Sequence, residues 1–298
     1  FFDINAVILI ALFLISALIV RKIRPEYGYL FPTAPAVIAS LFINWDLWAV
    51  VSAMLAIYYF DKKKYEISAI ALGVSIATKF FPVVLLLPIT IILYRSAAID
   101  QLRKYLTTTL LFWLVINLPI MATHFAGWWR FFKLNLERSA DFGSLWYGLS
   151  LLGVDIPFLN LIYLVITTAS FIALAIYLLN LKQIPNLAQC ALFAVVIFTT
   201  FSKVYSPQYV LWLTPLAVIA LTKSVQQIYF WIWQVSEIIY HLAIWQYLAQ
   251  YSGASFGLPA GGYAIATLLR IVAITGFTYL LMRDLSAKST AQMSVISR

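Results

Sequence analysis

Long apolar runs separated by short polar breaks occupy almost the whole of this 298-residue chain. Runs of this kind are typical of helices that cross a bilayer, for which a straight span needs about 20 residues. The pattern predicts an all-α polytopic transmembrane helix bundle with about eleven apolar segments. They lie at 4–20, 29–43, 47–60, 66–78, 82–94, 105–123, 158–180, 187–202, 207–222, 226–248 and 262–283.

Several of these segments are shorter than a straight span. Pro32, Pro35, Pro82 and Pro88 fall within the short ones, as is usual for broken helices that pack inside a bundle. We expect one multi-span membrane domain over residues 1–283 and a disordered cytoplasmic tail over residues 284–298.

Composition agrees with this pattern. The chain is 63% hydrophobic and only 10% charged, whereas charged residues make up about 25% of soluble domains. The net charge of +9 does not indicate a nucleic-acid partner, because most basic residues sit in short breaks between apolar runs. The only cysteine, Cys190, forms no intrachain disulfide.

The basic residues predict an orientation. If the break with Arg21 is cytoplasmic, strict alternation of spans places fourteen of the 20 basic residues on that side, as the positive-inside rule requires. These fourteen are Arg21, Lys22, Arg24, Lys62, Lys63, Lys64, Arg95, Arg103, Lys104, Lys182, Lys223, Arg283, Lys288 and Arg298. The unusual polar stretches then gather on the extracytoplasmic face, at 44–46, Lys79, 124–157, 203–208 and 249–261.

The long outer loop 124–157 begins with HFAGWWRFFKLNLER. Its aromatic residues, such as Trp128 and Phe131, alternate with basic residues, such as Arg130 and Lys133. This mixture is typical of an amphipathic helix that lies in the membrane interface.

The chain contains no P-loop, dinucleotide-binding glycine motif, zinc-protease motif or nucleophile elbow. Its two histidines, His124 and His241, are isolated and form no metal-ligand pattern. We expect no cofactor and leave a divalent metal open. The groups left for chemistry are a few carboxylates, a few cations and many aromatic rings near one face.

Two lysines are candidate anion ligands, each with a plainer alternative. Lys79 ends an apolar run and is either a snorkelling lysine or a phosphate contact. Lys203 is either exposed in a tight hairpin or part of a binding site. The neighbouring donors Tyr205, Ser206 and Gln208 favour the binding site.

The other candidates are carboxylates and arginines. Asp46 is either the cap of the next helix or a weak candidate for the catalytic base. Arg138 and Asp141, three residues apart, either pair on a helix surface or shape a substrate site, where Asp141 is a second weak candidate for the base. Arg270 lies within a span, and we expect it to face an interior aqueous cavity because an unpaired arginine there is costly.

Three stretches resemble a known superfamily when taken in order. NWDLWAV…ALGVSIATKFFPVVLLLP, ERSADFGSLWYGL and FSKVYSPQYVLWLTPL, within residues 30–222, resemble the polytopic C-type glycosyltransferases. They are most similar to the family 87 polyprenyl-phosphate-mannose-dependent α-mannosyltransferases. Each motif is weak alone, and the later spans add little to the resemblance.

This resemblance implies an inverting hexosyltransferase, working in glycolipid biosynthesis with its site at the extracytoplasmic face. The donor would be a polyprenyl-phosphate sugar, such as mannose, and the acceptor a lipid-linked glycan or glycolipid. Lys79, Lys203 and Arg270 would hold the donor phosphate, while Arg138, Tyr205, Ser206 and Gln208 would bind the substrates.

The family's catalytic aspartate lies in the first outer loop, and we find no counterpart. The chain also lacks an initiator methionine, so we expect a fragment of a longer enzyme, with the base upstream, rather than a naturally short relative. The alternative functions are a transporter or lipid flippase, which predicts internal repeats and charges at the bilayer midplane, and a non-catalytic membrane scaffold.

Overall fold

A computed structural model describes the backbone of residues 2–296 and the side chains of residues 2–287. Within this range the chain is all-helical, without a strand. The α-helices are α1 Phe2–Ile23, α2 Leu30–Thr33, α3 Pro35–Ser40, α4 Leu47–Asp61, α5 Tyr65–Thr78, α6 Leu86–Arg95, α7 Ile99–Thr123, α8 Phe125–Glu137, α9 Leu145–Leu151, α10 Leu159–Asn180, α11 Leu187–Phe201, α12 Val210–Ala220, α13 Gln226–Tyr251 and α14 Ala260–Ile296. Two 3₁₀ helices, Phe81–Leu85 and Pro207–Tyr209, lead into α6 and α12.

Among the described residues, four helices are long and apolar enough to cross a membrane: α1, α7, α10 and Ala260–Ala287 of α14. The most apolar stretches of α7 and α10 have only 6% and 11% of their residues buried. An apolar helix that the rest of the protein leaves uncovered needs another apolar environment, which a bilayer supplies. The chain is therefore an all-helical protein with the features of a membrane protein.

Short apolar helices form the centre of the bundle. Every residue of α12 is buried, as are most residues of α11. At 1.5 Å per residue their 15 and 11 residues extend only about 22 Å and 16 Å, less than the ~30 Å of a hydrocarbon core. The polar segment 202–209 that joins them is consequently drawn into the protein.

At one end of the bundle, cations contact the residues at or near the C-termini of neighbouring helices. Arg24 Nε donates to the carbonyl of Leu221 at 2.7 Å, just after α12, and Arg95 Nη1 donates to Leu178 at 2.6 Å in the last turn of α10. Lys223 pairs with Asp284 at 2.9 Å. Free carbonyls at helix C-termini attract cations. We call this end of the bundle, marked by Arg24, Arg95 and Lys223, the basic end.

Two expectations about the irregular regions change. The helix α14 continues to Ile296, so the predicted disordered tail is helical over 284–296, and residues 297–298 lie outside the described part. The outer loop contains α8, which has no buried residue, and a further short helix, α9, which we did not predict. The location of α8 in a membrane interface stays a prediction.

Candidate functional site

At the other end of the bundle, a part-buried ion pair joins Asp46 to Lys79. Asp46 precedes α4 and Lys79 follows α5, and α4 and α5 lie side by side. Lys79 Nζ donates to Asp46 Oδ1, and Trp212 Nε1 donates to Asp46 Oδ2 at 3.0 Å. Within the described residues, the carboxylate thus bonds to these two side chains rather than to the first amides of α4, so capping does not explain it.

Trp212 holds this carboxylate from the start of α12. Its ring stacks between Phe81 at 4.0 Å and Tyr209 at 3.8 Å, measured between ring centroids, and Lys79 Nζ lies 5.5 Å from it. The predicted site did not include Trp212. A tryptophan two residues into an apolar run gave no sign of its partner, which lies 166 positions earlier.

A cavity of about 400 Å³ opens beside this pair, and we call it the Asp46 cavity. The Lys79 side chain is 31% exposed, while that of Asp46 is covered. Polar and aromatic side chains share the wall. They include Asn44, Trp45, Trp48, Thr78, Phe80, Trp113, Asn117, Trp128, Phe131 and Phe132.

Helix α8 supplies one wall of the cavity. Trp128 Nε1 donates to Asn117 Oδ1 of α7 at 2.9 Å, and the Phe132 ring meets Phe80 edge-on at 5.7 Å. The aromatic residues expected at a membrane interface therefore face, in part, the cavity beside Lys79.

Burial controls the ionisation of Asp46. Desolvation raises the pKa of its carboxyl, and the charge of Lys79 with the hydrogen bonds from Lys79 and Trp212 opposes this rise in part. The carboxylate retains a proton more readily than an exposed aspartate does. A group of this kind, in a cleft beside a cation, is a candidate for proton transfer.

Lys203 is neither exposed nor turned into the Asp46 cavity. Its Nζ donates to Asn160 Oδ1 at 2.7 Å and to the carbonyl of Leu136 at 3.2 Å. Desolvation, together with the nearby charge of Arg138, lowers the pKa of Lys203. It ties the last turn of α8 to the first turn of α10, so the plainer alternative of an exposed hairpin does not hold, and its role as a donor-phosphate ligand stays a prediction.

Of the two alternatives for Arg138 and Asp141, the structure shows the ion pair, and their role in a substrate site stays a prediction. Arg138 Nη2 lies 2.6 Å from Asp141 Oδ2, although both residues follow the end of α8 rather than lying on a helix surface. The amide of Asp141 donates to the carbonyl of Lys203 at 2.8 Å, and its Oδ1 accepts from the amide of Phe142 at 2.7 Å. This pair organises the loop before α9.

Arg270 does not face an aqueous cavity. It is 0% exposed, and its guanidinium lies between the rings of Tyr205 and Tyr240, 3.8 Å and 3.3 Å from their centroids. It donates to the carbonyls of Tyr205 and Gly143 and pairs with Glu237 at 3.5 Å. The cost of burying the arginine is offset by contacts with protein groups, namely one carboxylate, two carbonyls and two aromatic rings. Water in a cavity, which we expected, does not have this role.

The three predicted polar ligands near Lys203 are also tied into the protein. Tyr205 is 0% exposed and donates to Glu237 Oε1 at 3.3 Å. Gln208 is 7% exposed, and Ser206 is half-buried, with its carbonyl accepting from the amide of Tyr209. Their roles as substrate ligands stay predictions, whereas the structure shows their part in packing.

Glu237 is the charged residue that we missed. It accepts from Trp233 Nε1 at 2.9 Å as well as from Tyr205, and it is the partner of Arg270. The sequence did hold a signal for this pair. Glu237 is an isolated carboxylate in the apolar α13, and a buried arginine such as Arg270 needs an acid nearby. Among the described side chains, no group of three or more His, Cys, Asp or Glu could hold a metal ion.

Comparison of this chain with protein-family models, with curated proteins and with solved structures finds no match.

Proposed function

We propose that this chain is a membrane glycosyltransferase that moves a sugar, mannose by resemblance, from a polyprenyl-phosphate donor to a lipid-linked or glycan acceptor. The observation that carries the proposal is the Asp46–Lys79 pair at the wall of an aromatic cavity. A carboxylate, a cation and stacking surfaces are the groups that transfer of a sugar from a phosphate requires.

The Asp46–Lys79 pair would allow Lys79 to exchange Asp46 for a donor phosphate. Lys79 now neutralises Asp46, and its side chain is the more exposed of the two. A donor phosphate at the cavity would draw Lys79 away from Asp46, because a phosphate offers several strong acceptor oxygens. Asp46 would then lose its neutralising cation just as the donor arrives, which makes the carboxylate more basic.

The reaction would proceed with balanced charge. In this proposal Asp46 takes the place of the upstream base that the resemblance implied: its freed carboxylate takes the proton of the acceptor hydroxyl, and the hydroxyl oxygen attacks the anomeric carbon from the face opposite the phosphate. The bond from that carbon to the phosphate oxygen breaks, and its electrons leave with the lipid phosphate. Lys79 stabilises the charge that develops there, and the anomeric carbon is inverted.

The walls of the cavity support this substrate class. Trp48, Trp113 and Trp128 offer faces on which a sugar ring or isoprenoid chain can pack, while Asn44 and Thr78 offer hydrogen-bonding groups. Apolar walls with a few placed polar groups are typical of small-molecule sites. Lys203, Arg138 and Arg270 would act behind this surface by holding the loops before α9 and α12.

The proposal includes a membrane arrangement. The Asp46 end would face the extracytoplasmic side, and the basic end the cytoplasm, in keeping with the positive-inside rule. The short helices α4, α5, α11 and α12 would complete a multi-pass bundle with the longer ones. Helix α8 would lie in the outer interface, where a lipid donor enters from the bilayer.

Transfer of a radiolabelled sugar from polyprenyl-phosphate mannose to a glycolipid acceptor, with the protein in proteoliposomes, tests the proposal. Asp46→Asn should lower kcat by about 10²–10⁴-fold, the usual contribution of a general base, with little change in donor KM. Lys79→Met should raise donor KM as well as lower kcat.

Lys133→Met is the matched control, because Lys133 lies on α8 with its side chain 61% exposed and pairs only loosely with Glu137 at 3.9 Å. It should leave both constants unchanged. A normal rate in Asp46→Asn would refute the proposed reaction.

A transporter or lipid flippase is the second candidate, and the buried Glu237–Arg270 pair favours it. Charged pairs inside a bundle mark ion and substrate pathways in transporters. Movement of a labelled lipid or solute across proteoliposomes without any glycosylated product would support this candidate. Product that depends on the phosphate of the donor would support the transferase.

A further inference from the structure

A second cavity lies at the basic end, between the start of α5 and the first turns of α7. Its volume is about 500 Å³. Tyr65 and Glu66 of α5 face Gln101, Arg103, Lys104, Thr107 and Thr108 of α7 across it. Tyr105 closes the base, with its hydroxyl 2.9 Å from Ser68 Oγ. We call it the Lys104 cavity.

This cavity is separate from the Asp46 cavity. Helix α5 begins at Tyr65, in the Lys104 cavity, and ends at Thr78, in the Asp46 cavity. Its 14 residues extend about 21 Å at 1.5 Å per residue. The two cavities therefore lie at opposite ends of one helix, and a polar headgroup in one cannot touch the polar groups of the other.

The charges around the Lys104 cavity favour an anion. The wall of the cavity carries Arg103 and Lys104 against the one acid Glu66, and the neighbouring residues in the sequence add three lysines, at 62–64, and two acids, Asp61 and Asp100. Asp100 approaches Arg103 to 3.9 Å, but both side chains are about four-fifths exposed, at 85% and 79%. Exposed pairs of this kind contribute little, so Arg103 is available to a phosphate.

An apolar strip continues from the cavity along α7. Leu110, Leu111 and Val115 are exposed by 55%, 53% and 67%. Leu110 and Leu111 follow Thr107 by three and four residues, so they lie on the same side of the helix as this cavity residue. On α5, Ile67 next to Glu66 is also exposed, by 45%. A polar, cationic cavity thus sits directly above a surface suited to acyl chains.

We propose that the Lys104 cavity binds the headgroup of an anionic phospholipid whose acyl chains lie along α7. Arg103 and Lys104 contact the phosphate, and Gln101, Thr107 and Thr108 hydrogen-bond the glycerol or the headgroup hydroxyls. Basic clefts between membrane helices bind acidic lipids in this way. The site holds a structural or regulatory lipid, and it does not depend on the glycosyltransferase proposal.

Native mass spectrometry of the detergent-purified chain, titrated with phosphatidylglycerol and with phosphatidylcholine of the same acyl chains, tests the site. The unaltered chain should bind phosphatidylglycerol more tightly. Arg103→Ala/Lys104→Ala should weaken that binding by roughly 30-fold, the loss expected for two cations at an anionic lipid. Binding of phosphatidylcholine should hardly change.

Arg21→Ala/Lys22→Ala is the matched control, since both residues are basic, exposed and in the last turn of α1. Its phosphatidylglycerol affinity should stay within about twofold of the unaltered chain. Salt screens the attraction between a lipid phosphate and exposed cations that do not touch it. Equal losses in the two double variants, or equal affinity for the two lipids, would overturn the proposal.

A third arm separates a lipid from a free anion. Inorganic phosphate at millimolar concentration should not displace phosphatidylglycerol, because the acyl chains on α7 supply much of the binding. Full displacement would show a simple anion site and would contradict the assignment to a phospholipid. Circular dichroism of both double variants should match that of the unaltered chain, since all four side chains are exposed.

Discussion

Gly143 is enclosed by buried polar groups in the loop before α9. Its φ is +74°, a left-handed conformation that side chains rarely adopt, and its carbonyl accepts from Arg270 Nη2 at 2.9 Å. A Cβ at this position would overlap the Tyr205 carbonyl, the Tyr240 hydroxyl and Arg270 Nη2. The loop can therefore approach the buried arginine only because residue 143 lacks a side chain.

Gly143→Ala should lower the melting temperature in detergent sharply, because it combines backbone strain with overlap against three buried groups. Gly153→Ala is the control: its φ is +82°, but a Cβ there would have no heavy atom within 4 Å. It carries the strain alone, of order 1 kcal/mol. Equal melting temperatures for the two variants would show that overlap at Gly143 does not occur.

Arg270 and Glu237 should be coupled in stability. Removing one member of a buried pair leaves an uncompensated charge and typically costs about 3–5 kcal/mol, whereas replacing both is often much cheaper. Arg270→Met should therefore melt at a lower temperature than the double variant Arg270→Met/Glu237→Gln. If the double variant instead shows the sum of the two single losses, the two residues do not act as a pair.

The proposed role of Asp46 predicts a distinctive pH dependence. Burial raises the pKa of Asp46, so the ionised base is lost as the pH falls through a value above the usual aspartate pKa of about 3.9. The charge of Lys79 lowers that pKa. In Lys79→Met the acidic limb of kcat/KM should therefore move to higher pH, measured on the residual activity.

Lys133→Met should leave the limb where it is in the unaltered chain, because Lys133 pairs with Glu137 and not with Asp46. A limb that moves to lower pH in Lys79→Met would contradict the assignment, since loss of a nearby cation cannot favour the ionised carboxylate.

Helices α5 and α7 approach closely at Gly73. A Cβ on Gly73 would lie 2.7 Å from the Thr109 carbonyl oxygen and 2.9 Å from Phe112 Cβ. Both neighbours belong to the middle of α7, where backbone cannot move aside without shifting the helix. Small residues allow membrane helices to approach in this way.

Gly73→Ala should force α5 and α7 apart and lower the melting temperature, although alanine is the better helix former by about 1 kcal/mol. Gly276→Ala in α14 is the control, because a Cβ there meets nothing within 4 Å. It should leave the melting temperature unchanged or raise it. A stabilised Gly73→Ala would show that the two helices are not in contact at this position.

The pattern of apolar residues predicted the helices better than it predicted the contacts between them. Runs such as 47–60 and 66–78 lie within one residue of α4 and α5, because hydrophobic length and the flanking polar breaks are local properties. The tail was predicted to be disordered because its composition is polar, yet α14 carries helix through 284–296. The composition of the tail alone does not show that the preceding 24 residues are already helical. A helix that is already nucleated extends into polar residues at little further cost.

The candidate site was predicted only in part, because the sequence shows which charges are unusual but not which residues they contact. Asp46, Lys79 and Lys203 stood out as charges beside apolar runs, and two of them form one site. Which charge meets which partner depends on packing between distant segments: Trp212 reaches Asp46, Asn160 reaches Lys203 and Glu237 reaches Arg270. A single sequence gives the cost of each buried charge but not the position of the group that offsets it.

The bundle as a whole has two chemically distinct ends. One carries the Asp46 cavity, and the other carries the cations that cap helix C-termini around Leu221 and Leu178. Helix α13 connects the two, running from the turn after Lys223 to Tyr251. Its 26 residues extend about 39 Å, which exceeds the ~30 Å of a hydrocarbon core. In the membrane arrangement that we propose, α13 crosses the bilayer, so the residues just before and after it report on the orientation of the protein.

Ser224→Cys and Ser252→Cys, made separately, should label from opposite sides of the membrane. Both serines are exposed, the change is nearly isosteric, and it leaves the charge bias untouched. The natural Cys190 is buried, so the unaltered chain supplies a low background. In intact cells a membrane-impermeant maleimide should label position 252 and not position 224, because the orientation that we propose from the positive-inside rule has the basic end in the cytoplasm.

Permeabilised cells should label both positions, which confirms that each thiol is reactive. Labelling of position 224 alone in intact cells would invert the proposed orientation and place the Asp46 cavity in the cytoplasm, where water-soluble nucleotide sugars rather than lipid-phosphate donors would be the expected substrates. Labelling of both positions in intact cells would show that α13 does not cross the membrane. The orientation and the donor class are thus tested together by two thiols at the ends of one helix.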